Sequence, residues 1–128
     1  CDVYLPRIVD TRRNRMSFFS AAAPLVRGRW GLLEPAGTMR LATQAFDVIF
    51  MPLVGFDARG NRMGMGKGFY DRALAFRLRR PLSTRPLLVG LAFACQEVAA
   101  LPVRAHDVPL DLLITEAGTR RFGHIATE

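Results

Sequence analysis

Three glycines on alternate positions, Gly64, Gly66 and Gly68, sit inside the stretch GNRMGMGKGFYDR that runs from Gly60 to Arg72. Glycine has no Cβ, takes left-handed backbone conformations freely and weakens any strand or helix it interrupts. The stretch is therefore a loop, and its flanks decide what it connects. Before it comes FDVIFMPL, Phe46 to Leu53, continuously apolar after Asp47, as a strand covered on both faces would be. After it, FYDRALAFRLRR sets Tyr70, Leu74 and Leu78 at i, i+4 and i+8 on one helical face. Asp71 falls in the first turn of that predicted helix and Arg77, Arg79 and Arg80 in its last, with Pro81 as the stop, which suits the helix dipole.

The remaining segments extend the alternation. DVYLP reads as a short strand closed by Pro6, and RMSFFSA, around Met16 to Ala21, as a second after the polar DTRRNR turn. RWGLLEPAG carries Pro35 and Gly37 and should be extended and irregular. RPLLVGLAF reads as a buried strand, ACQEVAAL as a short helical turn and LDLLITE as the last strand. Strands alternating with a helix predict an α/β domain with a largely parallel sheet. At 128 residues the chain is a single domain, 1–128, able to bury one core. It opens with CDVYLPR, without a methionine and directly inside a strand-like segment, so the domain is expected to be truncated, with its N-terminal part missing.

Charge narrows the partners. A formal net charge of +7 and a pI near 10.9 point to an anion: the phosphates of a small ligand, nucleic acid or an acidic membrane surface. The arginines are scattered rather than gathered in one arm, which weakens the nucleic-acid reading. Cys1 and Cys95 form neither a disulfide framework nor a metal-ligand spacing, the pattern of a reducing compartment, and the protein is read as cytoplasmic. The longest apolar run, Pro86 to Cys95, is about half of the ~20 residues a membrane helix needs.

A strand, a glycine-rich loop and a helix N-terminus together suit a phosphate, because bare backbone N–H groups can approach it closely. A tight connection in which the glycines merely permit the turn is the plain alternative. Arg62 and Lys67 favour the phosphate, since two cations around a loop are a burden unless something negative lies between them. The order matches neither the Walker A loop, because Lys67 is followed by Gly68, nor the dinucleotide fingerprint. Magnesium accompanying a triphosphate would need carboxylates: Asp71 is one, and HDVPLD offers Asp107 or Asp111 as a second.

The run DVIFMPLVGFDARGNRMGMGKGFYDR resembles the signature of the 5-formyltetrahydrofolate cyclo-ligase family, also called methenyltetrahydrofolate synthetases. The matching elements are a strand ending in Pro52, Phe56-Asp57, Gly60, Arg62, the alternating glycines and Tyr70-Asp71, and the likeness extends to RWGLLEP before and LPVRAHDVPLDLLITE after. The resemblance implies a three-layer α/β/α domain around a mainly parallel sheet. It also implies ATP-dependent cyclisation of 5-formyltetrahydrofolate to 5,10-methenyltetrahydrofolate with release of ADP and phosphate. By motif position, Arg62, Met63, Gly64, Met65, Gly66, Lys67, Gly68, Phe69 and Tyr70 would hold ATP, with Arg62 and Lys67 as the catalytic cations. Asp71 and Asp107 would hold Mg²⁺, and Trp30 with Met65, Gly66, Lys67, Gly68 and Phe69 would meet the folate, although by itself Trp30 reads as a core tryptophan. The implied partners are ATP and 5-formyltetrahydrofolate, with no nucleic acid or membrane, in a monomer.

Two departures qualify the match. Phe69-Tyr70-Asp71 stands where the family often has Tyr-Tyr-Asp, so one hydroxyl is lost while the ring remains. The family also carries, upstream, a basic helix reaching ATP and an acidic residue for the folate, so this chain reads as the C-terminal two-thirds of such a domain and is expected to be inactive alone. The competing readings are a basic module for nucleic acid or a regulatory nucleotide, and an inactive cyclo-ligase homologue. His124 reads as a surface residue and His106 as a loop residue beside Asp107.

Overall fold

The computed structural model describes residues 1–22, 24–28, 31–64, 66–79 and 85–122. Its main sheet has four strands, β6 (Val48–Met51), β9 (Leu87–Leu91), β10 (Leu112–Thr115) and β11 (Gly118–Arg121), in the order β11-β10-β9-β6. β9 runs parallel to both β6 and β10, while β11 closes antiparallel on β10. The fold is thus mixed α/β around a mainly parallel sheet. Beside it lies an antiparallel sheet of β1 (Tyr4–Asp10), β2 (Arg15–Ser20) and β5 (Arg40–Leu41), in the order β1-β2-β5. Two hairpins complete the strands: β3 (Leu25–Arg27) with β4 (Leu33–Pro35), and β7 (Gly55–Phe56) with β8 (Arg62–Met63).

The core fills the space between these sheets. Ile49 and Met51 of β6, Leu88 of β9 and Leu113 of β10 share one face, as the parallel register Ile49↔Leu88 and Met51↔Gly90↔Leu113 requires. Phe18 of β2, Phe56 of β7, Leu74, Phe76, Val108, Leu110 and Phe122 pack on them. The only α-helix among the described residues, α1 (Phe69–Ala73), lies over β2, with Tyr70 edge-on to Phe18 at 6.3 Å between ring centroids.

Several expectations need correction. β6 is covered on one face only: Ile49 and Met51 are buried, whereas Val48 and Phe50 are exposed. It is an edge strand whose second face meets no covering element among the described residues, so its continuous apolarity does not report two-sided burial. The predicted helix from Phe69 ends after Ala73 and gives way to a tighter 3₁₀ turn, Ala75–Arg79. That tightening turns Phe76 and Arg77 inward and leaves Leu78 exposed, because the Arg77 guanidinium is held by buried Asp111. β1 passes through Pro6 to Asp10, which an edge strand tolerates because its proline need not donate to a ladder. LDLLITE is not the last strand, since β11 follows it through a hairpin. The hairpin β7–β8 stands between β6 and the glycine loop, so the loop does not leave the main sheet directly. Arg80 and Pro81 lie outside the described residues.

Candidate functional site

β8 ends the approach to the glycine loop and α1 begins its exit. That brings Arg62, on β8, against Asp71, in the first turn of α1. Arg62 Nη2 donates to Asp71 Oδ1 at 2.8 Å. The Arg62 side chain is only 6% exposed, and its Nε is buried without a hydrogen-bond partner. Burial draws the guanidinium pKa below its ordinary value, and the negative charges of Asp71 and Asp107 oppose that shift. Burial also raises the Tyr70 hydroxyl pKa, against the attraction of Arg62.

The second wall comes from the segment before β10. Val108 N donates to the same Asp71 Oδ1 at 3.1 Å, tying that segment to α1. Arg104 N donates to Asp107 Oδ2 at 2.9 Å and Asp107 N to the Arg104 carbonyl at 3.1 Å, a local turn that fixes Asp107. Arg62, Asp71 and Asp107 line one small pocket together with Asn61, Pro102, Val103, Val108 and Pro109. His106 is exposed, its Nε2 3.7 Å from Asp107 Oδ1.

The structure separates the two candidate carboxylates of HDVPLD. Asp111 is buried, accepts from Arg77 Nη2 on both oxygens at 2.9 and 2.8 Å, and accepts from Leu88 N at 2.8 Å. It is a core group that anchors the 3₁₀ turn to the sheet. Asp107 faces the pocket. The magnesium that the resemblance implies fits the donors present: Asp71 keeps Oδ2 and Asp107 keeps Oδ1 outside the backbone hydrogen bonds that fix them.

Residues 1–116 match the sequence profile of the 5-formyltetrahydrofolate cyclo-ligase family. The chain belongs to that family. It is 37% identical over 118 residues to the 5-formyltetrahydrofolate cyclo-ligase of Haemophilus influenzae, a match covering 88% of this chain and 61% of that protein. The mouse 5-formyltetrahydrofolate cyclo-ligase is 36% identical over 106 residues, covering 80% of this chain and 52% of the mouse protein. Among solved structures, the 5,10-methenyltetrahydrofolate synthetase of Aquifex aeolicus superposes with a TM-score of 0.75 at 35% identity, covering 95% of this chain and 59% of that one. The Mycoplasma pneumoniae 5,10-methenyltetrahydrofolate synthetase gives a TM-score of 0.63 at 26% identity, over 88% of this chain and 55% of the other. The chain therefore spans about three fifths of the bacterial cyclo-ligase it matches.

Against the family motif, the structure gathers Arg62, Asp71 and Asp107 at one pocket. Gly66 and Gly68 have φ of +92° and +72°, the left-handed backbone that the motif's glycines were expected to take. Gly64 leaves room for Arg62, whose Nη1 would lie 3.3 Å from a Cβ there. Lys67 and Met63 are exposed, Phe69 opens α1, and Tyr70 packs half-buried against the core rather than standing clear in the loop. Trp30 and Met65 lie outside the described residues. Sequence reasoning missed Asn61 and the Val108 backbone as parts of the site. Asn61 immediately precedes Arg62 and could have been read from the motif, whereas the Val108 contact follows from tertiary folding alone.

Proposed function

We propose that this chain carries the ATP and magnesium site of an enzyme that cyclises 5-formyltetrahydrofolate to 5,10-methenyltetrahydrofolate, releasing ADP and phosphate. The observation that carries the reading is the meeting of Arg62, Asp71 and Asp107 at one pocket, next to a loop with left-handed Gly66 and Gly68, in a chain of the cyclo-ligase family. α1 is too short for its dipole to hold an anion, so the phosphate would be held by cations and bare loop backbone.

The chemistry asks for charge control. The formyl oxygen of an amide-like group leaves poorly. Transfer of the γ-phosphoryl group of ATP to that oxygen releases ADP; N10 then attacks the formyl carbon, and the oxygen departs as phosphate with loss of the N10 proton. Such a transfer is mainly positioning and neutralisation. Arg62 and Lys67 would steady the phosphates, and Asp71 with Asp107 would hold the magnesium that neutralises them. In the free protein Arg62 is also the counter-charge of Asp71, keeping that carboxylate oriented before the metal arrives. Met65 to Phe69 and Trp30 would meet the folate. In the whole enzyme the sheet face left open here would lie under the third layer that the resemblance implies. A cytoplasmic location belongs to the same proposal, supported by two free, exposed cysteines, Cys1 and Cys95.

The test has two arms. Calorimetric titration of the chain with ATP and Mn²⁺, standing in for Mg²⁺, should show uptake that Asp71→Asn and Asp107→Asn each weaken. A version extended to the length of the relatives should raise methenyl-folate absorbance only with ATP and Mg²⁺, forming ADP in equal amount. Nucleotide uptake indifferent to both aspartates would overturn the site, and cyclisation without ATP would overturn the reaction.

A further inference from the structure

Asp57 is, with Asp111, the most deeply buried carboxylate among the described residues, and the reading above leaves it unused. It is 2% exposed, follows β7 directly and makes no ion pair among the described residues. An ionised group so placed is costly unless its oxygens are satisfied by donors. They are: Oδ1 accepts from Arg59 N at 3.0 Å and Asn61 N at 3.1 Å, and Oδ2 from Asn61 Nδ2 at 3.1 Å and Leu101 N at 3.0 Å. The backbone of Asp57 closes the same turn, its N–H donating to the Asn61 carbonyl at 3.1 Å and its carbonyl accepting from Gly60 N at 3.2 Å.

The placement of those donors matters more than their number. Asn61 is the pocket residue next to Arg62, and Leu101 immediately precedes Pro102, the first pocket residue of the segment that carries Asp107. One carboxylate therefore grips both walls, one at the lining residue Asn61 and the other at Leu101, a single residue from the lining. A second strut joins the same two segments, Leu110 N donating to the Gly60 carbonyl at 2.8 Å. We propose that Asp57 is a positioning residue for this pocket, its carboxylate setting the spacing between the wall that presents Arg62 and the wall that presents Asp107. The proposal rests on the ATP and magnesium reading for its functional consequence, and on the hydrogen-bond geometry alone for its structural one.

The test pairs Asp57→Asn and Asp57→Ser with a core control, Ile49→Val, and follows amide hydrogen exchange and Mn²⁺·ATP affinity in the same protein. An asparagine cannot accept from four donors, because its amide nitrogen is itself a donor. Exchange at Asn61, Leu101 and Val108 should quicken about tenfold or more in the Asp57 variants, beyond any change at Leu88 and Leu113 in the sheet. Affinity for Mn²⁺·ATP should fall about 10–100-fold, the range for losing a group that orients metal ligands. Ile49→Val should change exchange across the core and leave Mn²⁺·ATP affinity alone. Unchanged exchange at Val108, exchange quickened equally everywhere, or unaltered Mn²⁺·ATP affinity would each overturn the proposal. Unfolding of both Asp57 variants would do the same, making Asp57 a residue of the fold only. If the parent chain takes up no Mn²⁺·ATP, the site reading fails, and exchange at Val108 still decides whether Asp57 sets the walls.

Discussion

Single carboxylates here divide by what already satisfies them. Asp111 is consumed by Arg77 and Leu88 N, Asp57 by four donors, and only Asp71 and Asp107 keep an oxygen for the pocket. For Asp57, burial works against ionisation, but the hydrogen bonds from Leu101, Asn61 and Arg59 outweigh it and place the pKa below the usual carboxylate value of 3.8. A carboxylate depressed on folding contributes stability that is present above its unfolded pKa and is lost as pH falls through the folded one. Asp57→Asn should therefore lower unfolding stability by about 1–3 kcal/mol at neutral pH. The gap between variant and parent should narrow only below about pH 4, as the parent's carboxyl protonates. Urea titrations from pH 3 to pH 7 measure it, and a gap independent of pH would contradict an ionised Asp57. Lys67 makes the complementary case. It is exposed, so Lys67→Ala should leave the fold intact, yet in a chain of the relatives' full length it should raise KM for ATP or lower kcat about 10- to 1000-fold. Steady-state kinetics over ATP concentration check this.

At the level of elements, the glycine loop was legible because its requirement is local: alternating glycines between cations demand bare, left-handed backbone whatever lies around them. The helix after it was legible only in its first turn. Tyr70, Leu74 and Leu78 have helical spacing, but the spacing could not show that Arg77 would be drawn to Asp111, 34 residues away, and that the turn would tighten to suit. The same long-range pairing separates Asp107 from Asp111, a choice that the residues alone left open. β11 escaped for the opposite reason, since its residues are mostly exposed and carry little apolar pattern. The glycines themselves divide into two kinds. At Gly60, φ is +88° and a Cβ would fall 2.8 Å from Phe122 Cγ and 3.1 Å from the Leu110 carbonyl oxygen. Gly60→Ala should cost about 2–4 kcal/mol through strain and crowding together. At Gly66, φ is +92° but a Cβ would meet nothing within 4 Å. Gly66→Ala should cost only about 1–2 kcal/mol of stability, the left-handed penalty alone, while the added methyl stands where the phosphate is proposed to approach. Thermal melts beside ATP titration separate the two: Gly60→Ala acting mainly on the melt and Gly66→Ala mainly on ATP is the expected pattern, and the reverse would displace the phosphate from this loop.

Across the whole molecule, the main sheet is buried along one side and, on the other, at Val89 in its middle strand β9 but not around it. Ile49, Met51, Leu88 and Leu113 are buried, whereas on the opposite face Val48 is 42%, Phe50 55%, Leu91 50% and Ile114 39% exposed. The register sets these side chains around a buried centre, because Phe50 pairs with Val89, which is only 3% exposed, Val89 with Leu112, and Leu91 with Ile114 across three adjacent strands. Contiguous apolar faces of this kind are uncommon on monomers. They bind apolar dyes and promote association, the more so beside an edge strand such as β6, which has no strand on its outer side among the described residues. The matched region of the Haemophilus relative is 61% of its length, and the proposed third layer would draw on the remainder. The double variant Phe50→Lys/Leu91→Lys discriminates between an open and a covered face. In the chain of residues 1–128 it should reduce anilinonaphthalene sulfonate fluorescence and concentration-dependent sedimentation, while shifting unfolding stability by no more than about 0.5 kcal/mol per site, the usual range for exposed positions. In a chain extended to the relatives' length the same pair should cost several kcal/mol, because two lysines would then be buried without partners. Equal, small effects in both lengths would show that the extension leaves this face in water, and the three-layer arrangement would fall with it.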